Sequence, residues 1–298
     1  MKTVTRITFF DENGEKFFGE GPARLLRGIE ETGSLRASAM SMNMAYTKAL
    51  KLLKRAEATL GFALTARTAG GRSGGGSSLT PEGKEWLSRY EACAAECAEE
   101  NRRIVRKHFP KIGCVIMASG LGLRFGGNKL MADFHGEPMI LRSLRASEGL
   151  SDHRVVVTRH EEVAALCRQR GIPVVVHTLP HRSDTVRLGL EALGDLDGCL
   201  FLPGDQPLLR RETVDLLVRR WTENRDLILR PVCGSTPGAP VLFPRWAFPE
   251  LASLPEGKGG GWLISKYPHR VKEAAISDPL ELADADTPQA LELLKQHR

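Results

Sequence analysis

From residue 111 onward, short apolar runs alternate with stretches whose apolar residues recur every three or four positions. The runs at 112–118, 154–158, 174–177, 198–203, 227–229, 241–243 and 271–275 predict strands. The stretches 139–148, 161–170, 184–193, 211–223 and 288–296 predict helices. Such alternation implies a mainly parallel sheet flanked by helices, because parallel neighbours need a crossover that a helix can fill. In sheets of this kind ligands bind outside the carboxyl ends of the strands.

The first third is patterned differently. Leu25, Leu26 and Ile29 give 22–31 an amphipathic helical spacing, Gly33 stops it, and Ser34 caps a short helix ending near residue 42. After a turn at Asn43, 46–60 reads as a longer helix carrying Lys48, Lys51, Lys54 and Arg55. Residues 62–67 read as a strand, 69–78 as a glycine-rich tip, and Leu79-Thr80 as the start of a return. Two helices joined by a short turn, the second one basic, followed by such a hairpin, describe a winged helix-turn-helix. The predicted fold class is therefore α/β in two domains. Residues 1–108 form the winged helix-turn-helix, with a C-terminal linker or dimerisation helix, and 109–298 form a Rossmann-like domain with a mainly parallel sheet.

A chain of 298 residues is long enough for two such cores. No apolar run is long enough to span a bilayer, and the N-terminus has no apolar signal core, so a cytoplasmic protein without a membrane partner is expected. Six cysteines (Cys93, Cys97, Cys114, Cys167, Cys199, Cys233) include no C-x-x-C pair, which argues for a reducing compartment and against structural zinc. His177 and His181 are four apart, but Pro180 argues against one helix presenting both to a metal. Charge is more informative. Residues 1–108 hold 18 Lys+Arg against 13 Asp+Glu, whereas 109–298 hold 24 against 23. The basic excess of the first part points to an acidic partner, with Arg67 and Arg72 placed to meet a phosphate backbone.

The densest chemistry lies at 112–129. An apolar strand breaks into a loop with Gly120, Gly122, Gly126 and Gly127, joined by Arg124 and Lys129. Glycines let backbone N–H groups approach an anion, and the two cations add charge to the same concavity. This is a nucleotide phosphate loop. Lys129 stands between Asn128 and Leu130, so it is not a Walker loop, which needs Ser or Thr after the lysine. The glycines are spaced G-x-G-x-x-x-G and a lysine follows closely, which does not suit a dinucleotide fingerprint. A second strand, 198–203, delivers Asp205 to the same sheet edge, where one carboxylate suits Mg2+ completed by water and substrate phosphates.

Two resemblances follow from these residues. Glu31-Thr-Gly-Ser-Leu-Arg-Ala-Ser-Ala39, Tyr46-Thr-Lys-Ala49 and Thr68-Ala-Gly-Gly-Arg-Ser-Gly-Gly-Gly76 with Leu79-Thr-Pro-Glu-Gly83 resemble the winged-helix domain of molybdate-responsive transcription regulators. That resemblance implies DNA contacts from Tyr46, Thr47, Lys48 and Lys51 and a homodimer paired through residues 88–107. The molybdate-binding domains of those regulators have no counterpart here. Met117-Ala-Ser-Gly120, Arg124, Gly126, Lys129, Gly204-Asp-Gln-Pro207, Gly238-Ala-Pro-Val-Leu-Phe243 and Ala283-Asp-Ala-Asp-Thr-Pro288 resemble the nucleotidyltransferases that finish the molybdenum cofactor, especially their cytidylyltransferase branch.

The second resemblance implies that CMP passes from CTP to the terminal phosphate of molybdopterin, with the product handed to a molybdoenzyme. Arg124, Lys129 and Asp205 would be catalytic, with Asp205 holding Mg2+. Ala118, Ser119, Gly120, Gly122, Gly126, Gly127, Ser183 and Asp184 would bind the nucleotide. Asp184 or Asp286 would be a second metal ligand, although helix capping explains Asp184 equally well. Ser119-Gly120 is closer to the Ala-Gly of the cytidylyl branch than to the Gly-Gly of the guanylyl branch. Two departures fall where the pterin is expected: Glu256-Gly-Lys-Gly-Gly-Gly261 lacks an arginine, and Ala239 replaces a usual histidine. Two alternatives stay open, a regulator that senses nucleotide without turnover and a nucleotidyltransferase for another phosphorylated acceptor.

Overall fold

Separate hydrophobic cores organise the chain into two units, Met1–His108 and Phe109–Arg298. This computed structural model describes residues 3–68 and 76–297; most of the glycine-rich tip, with Arg72, lies outside the described residues.

The first unit opens with an antiparallel pair, β1 (Thr8–Phe10) and β2 (Lys16–Gly19). Then come α1 (Glu20–Thr32), α2 (Leu35–Ser41) and α3 (Tyr46–Leu60), followed by the pair β3 (Thr65–Thr68) and β4 (Gly76–Leu79) and the long helix α4 (Pro81–His108). Local chemistry sets these boundaries. Gly33 and Gly61 end α1 and α3 in left-handed conformations, and the Ser34 hydroxyl accepts from the Ala37 N–H at the start of α2. Helices α1 and α2 approach closely because residue 28 is glycine: a Cβ there would lie 2.3 Å from Ser38 Oγ. Apolar residues from all four helices meet around Phe18, whose ring is edge-on to Trp86 and Tyr90. The β1–β2 pair was not expected from the sequence, and α4 begins at Pro81 and contains the 88–107 stretch expected to pair two chains. Three- and four-residue strands carry too little periodicity to read, and proline is well suited to a first helical turn.

The second unit is an eight-stranded mixed sheet: β5 (Ile112–Ala118), β6 (Arg154–Thr158), β7 (Val174–Val176), β8 (Gly198–Pro203), β9 (Ile228–Cys233), β10 (Thr236–Pro237), β11 (Val241–Pro244) and β12 (Val271–Ala275). The order is β10-β9-β11-β8-β5-β6-β7, with β12 parallel beside β9. Strands β5 to β8 run parallel, and β11 is antiparallel between β8 and β9. Alternate residues feed two cores. Ile112, Cys114 and Ile116 face one side, with Leu200 and Leu202; Val115 faces the other, with Cys199 and Phe201. The first face is covered by α5 (Ile140–Ala146), α6 (Glu161–Gln169), α8 (Arg211–Glu223) and α11 (Pro288–Lys295). The second is covered by α7 (Arg182–Leu193), α9 (Phe248–Ala252) and α10 (Gly261–Lys266). Gly189 sits mid-helix in α7 because a Cβ there would meet Val115 Cγ1 at 2.5 Å.

Buried cysteines behave as core residues. Burial pushes the Cys114 thiol up to about 12. The run expected at 227–229 is a six-residue strand instead, its apolar pattern interrupted by Arg230 and Pro231. The helix expected over 139–148 ends at Ala146, where the Ser147 hydroxyl donates to the carbonyls of Ser143 and Leu144. No helix among the described residues is long and apolar enough to cross a membrane.

Candidate active site

The parallel strands β5, β6 and β8 all end at one edge, so the residues that follow them share a cleft. Ser119 follows β5 directly, Arg159 follows β6 directly, and Asp205 lies two residues beyond β8. The glycine loop closes on itself: Phe125 and Gly126 N–H groups donate to the Gly122 carbonyl at 2.9 and 3.0 Å. Gly122 has φ +61°, and a Cβ there would lie 2.2 Å from the Gly127 carbonyl oxygen. Two independent constraints therefore require glycine at that position. Beside the loop, the Gly204 N–H donates to the Met117 carbonyl (3.0 Å) and the Ala285 N–H to the Asp205 carbonyl (2.9 Å), which draws Asp205 and Asp286 together.

Lys129 lies between these two acids. Its ammonium is hydrogen-bonded to Asp205 Oδ2 and stands 2.8 Å from Asp286 Oδ1, with only 10% of the side chain exposed. Arg124 reaches the other oxygen of Asp286 at 2.7 Å. Burial pulls the Lys129 ammonium down, but the two carboxylates outweigh it and hold it above its ordinary value. The hydrogen bond from Lys129, with its charge and that of Arg124, holds Asp286 below the usual carboxylate range. Asp284 moves the opposite way, raised by burial and then by the Asp205 charge. Among the described residues no group of three or more His, Cys, Asp or Glu could hold a metal by itself.

The cleft encloses about 440 Å³. Ser119, Gly120, Gly122, Arg124, Lys129 and Asp205 border it, joined by Asp286, Arg159, Arg182 and Thr185. Ala118 is buried at the strand end, and Gly126 and Gly127 shape the loop without bordering the cleft. Ser183 and Asp184 do not border it either. Asp184 accepts from the His181 N–H at 3.1 Å in a capping box at the start of α7, which accounts for that aspartate. A second cavity of about 350 Å³ adjoins the first, sharing Met117, Arg182 and Pro203. Its walls include Phe201, Phe243 and Trp262, with Arg230 at its margin, and the glycines 259–261 border it.

His177, which follows β7, was set aside as a metal ligand but has another role. It is buried, and its Nε2 lies 2.8 Å from Ser119 Oγ. The strand-end rule that locates Asp205 also points to Arg159 and His177. In the first unit, Tyr46, Thr47, Lys48 and Lys51 are exposed along α3, and Arg67 is exposed on β3.

A Rossmann-like sheet with a glycine-rich loop and paired acids at its carboxyl edge is an α/β arrangement of the kind that suits nucleotide substrates. The chain belongs to the MobA-like NTP transferase domain family, whose profile matches residues 114–271, more than half of the chain. Among curated proteins, the 3-deoxy-manno-octulosonate cytidylyltransferase of Chlorobium phaeobacteroides is 39% identical over 93 residues, 30% of this chain and 37% of that protein. The match thus spans well under half of the curated relative. Among solved structures, Rv0371c of Mycobacterium tuberculosis superposes with TM-score 0.57 and 23% identity, over 63% of this chain and all of that one. A CTP complex of CMP:2-keto-3-deoxy-manno-octonic acid synthetase gives TM-score 0.52 and 18% identity, over 62% and 97%. At these identities the two structures establish the fold.

Proposed function

We propose that the chain transfers CMP from CTP to the terminal phosphate of molybdopterin, releasing pyrophosphate, and that residues 1–108 are a winged-helix DNA-binding domain. The observation that carries the reading is Lys129 held by Asp205 and Asp286 beneath the glycine loop, two cations and two acids converging where a triphosphate fits. Family membership supports nucleotidyl transfer, and the cytidylyltransferase name of the curated relative supports CTP.

The second cavity supports the choice of acceptor. The half-buried Trp262, backed by the buried rings of Phe201 and Phe243 and beside Arg182, suits a flat ring bearing phosphate better than a polyhydroxylated sugar acid. The acceptor phosphate oxygen attacks the α-phosphorus of CTP as the bond to the β-phosphate oxygen breaks. Backbone N–H groups of the loop orient the triphosphate, while Arg124 and Lys129 turn toward the departing pyrophosphate and neutralise its growing charge. Asp205 and Asp286 fit Mg2+, since hard carboxylate oxygens that already hold one cation between them match its usual protein ligands. Mg2+ bound there would neutralise phosphate charge and polarise the reacting oxygens.

The test is pyrophosphate release from the purified chain with Mg2+, CTP or GTP, and either molybdopterin or 3-deoxy-manno-octulosonate. Release with CTP and molybdopterin alone is expected. Release with the sugar acid instead would replace the acceptor, and release with GTP would replace the nucleotide. Silence throughout would favour a regulator that senses nucleotide without turnover.

For the first unit, exposed Tyr46, Thr47, Lys48 and Lys51 on one basic helix and Arg67 on the following hairpin support DNA binding, and the exposed face of α4, with Ile104, supports pairing of two chains. Affinity for duplex DNA should fall steeply with salt. Lys48→Ala with Lys51→Ala should lower the slope of log K against log salt by about 2 per chain, read by fluorescence anisotropy. An unchanged slope would remove these lysines from the interface.

A further inference from the structure

The two cavities share three residues, Met117, Arg182 and Pro203, and of these only Arg182 carries a charge. Arg182 opens α7, and its side chain lies along the segment that leads into α10. A Cβ at Gly259 would stand 3.2 Å from Arg182 Cδ and 3.5 Å from its Nε, so glycine there leaves the guanidinium stem its room. The next glycine, Gly260, closes on Phe243, whose Cζ a Cβ would meet at 2.6 Å. The segment 256–261 has no arginine of its own and thus receives one from α7. His181 Nε2, 3.6 Å from a Glu256 carboxylate oxygen, ties the same two elements a second time. The other cations around the cavities are engaged. Arg124 and Lys129 pair with the two acids, the Arg159 guanidinium donates to the Leu179 carbonyl, and Arg230 pairs with Glu273 at 2.6 Å. Arg182 is exposed, and among the described residues it makes no ion pair and no side-chain hydrogen bond.

We propose that Arg182 is the residue that holds the acceptor's phosphate against the α-phosphorus of the nucleotide. The inference rests on the reading above, with the triphosphate in the first cavity and the acceptor in the second, and adds what joins them. Two occupants can react only where their cavities meet, and there they bring two anionic phosphates together. Their repulsion opposes the approach. An unpaired guanidinium at the junction offsets it, and its planar fork can bond oxygens of both groups at once. An oxygen of the acceptor phosphate then forms the new bond to the α-phosphorus. The bond from that phosphorus to the bridging β-phosphate oxygen breaks, and pyrophosphate leaves with the electron pair. Arg182 thereby serves the entering side of the reaction, while Arg124 and Lys129 serve the departing side.

The experiment compares wild type, Arg182→Ala and Arg182→Lys as full chains with Mg2+. Pyrophosphate release is followed against molybdopterin concentration at saturating CTP, and CTP affinity is measured by calorimetry without acceptor. Arg182→Ala should lower kcat/KM for molybdopterin by about tenfold to a hundredfold, the span for a lost hydrogen bond between charged groups. CTP affinity should stay within about threefold, since the glycine loop, Arg124 and Lys129 remain. Arg182→Lys keeps the charge without the fork and should recover part of the loss. A merely structural role would weaken CTP as well and would not be rescued by lysine. Arg182 is exposed at a helix start, so neither variant removes core packing. A kcat/KM for molybdopterin unchanged in Arg182→Ala overturns the proposal and leaves the transferase reading intact. A loss of CTP affinity as large as the loss in kcat/KM also overturns it, by assigning Arg182 to the nucleotide. A wild type that releases no pyrophosphate with CTP and molybdopterin overturns both.

Discussion

Asp205→Asn should lower the rate of pyrophosphate release by about 10²–10³-fold, the range expected when one preorganised charge at a phosphoryl centre is lost. The substitution keeps side-chain volume and one carbonyl acceptor but removes the negative charge that Lys129 and any bound cation share. Affinity for CTP should move by less than about tenfold, because the glycine loop, Arg124 and Lys129 remain to hold the phosphates. Single-turnover kinetics with CTP binding measured in parallel separates the two. Turnover retained within about threefold would show that Asp205 has no part in the chemistry, and would move attention to Asp286. The fold is a poor alternative explanation for a loss, since Asp205 is at a strand end with part of its side chain exposed. A thermal transition close to wild type would confirm that.

The second large effect is expected in the first unit. Phe18→Ala should destabilise that unit by about 3–5 kcal/mol, the usual cost of removing a fully buried aromatic ring. Phe18 is 0% exposed, and its ring centroid lies 5.6 Å from that of Trp86 and 5.1 Å from that of Tyr90. These contacts tie β2 to α4. The loss combines transfer of the ring, a cavity that backbone on several sides cannot close, and two edge-on aromatic contacts. For a unit of this size the thermal midpoint should drop by more than about 12 °C, read from Trp86 fluorescence in a Trp86-only background. Phe18→Leu should cost less than about 1.5–2 kcal/mol, because most of the volume is kept. A shift of less than a few degrees for Phe18→Ala would mean that the core is held together elsewhere.

Helices and strands whose signal is local were legible in the sequence. Helix α3 begins at Tyr46 and ends at Leu60, where an apolar stripe meets a terminal glycine. Strands β5 and β8 are continuous apolar runs because both their faces are covered. Elements that depend on partners were less legible. Strand β9 carries Arg230 and Pro231 in its middle and is held by β11, β10 and β12 around it. The short helices α9 and α10 are too brief for a periodicity, yet they supply part of the wall of the second cavity. At the site, the glycine loop and Asp205 were legible because each follows a strand end, and Lys129 because it closes the same glycine-rich loop. The bond between Ser119 and His177 spans 58 positions, and that between Lys129 and Asp286 spans 157. No local pattern records such pairings; they exist only once β5, β7 and the segment before α11 have been placed on one edge.

The ion pairs among Arg124, Lys129, Asp205 and Asp286 join two cations to two anions, so that this quartet carries no net charge. An arriving triphosphate therefore meets no surplus positive charge at the quartet itself; Arg159 and Arg182, at the border of the same cleft, supply that. Each cation that turns toward a phosphate oxygen strands a carboxylate that had been its partner, and that carboxylate then needs a new counter-ion. Binding at the quartet is then an exchange of partners, and inorganic phosphate, which brings negative charge without a cation to replace what it takes, should compete weakly for these four side chains.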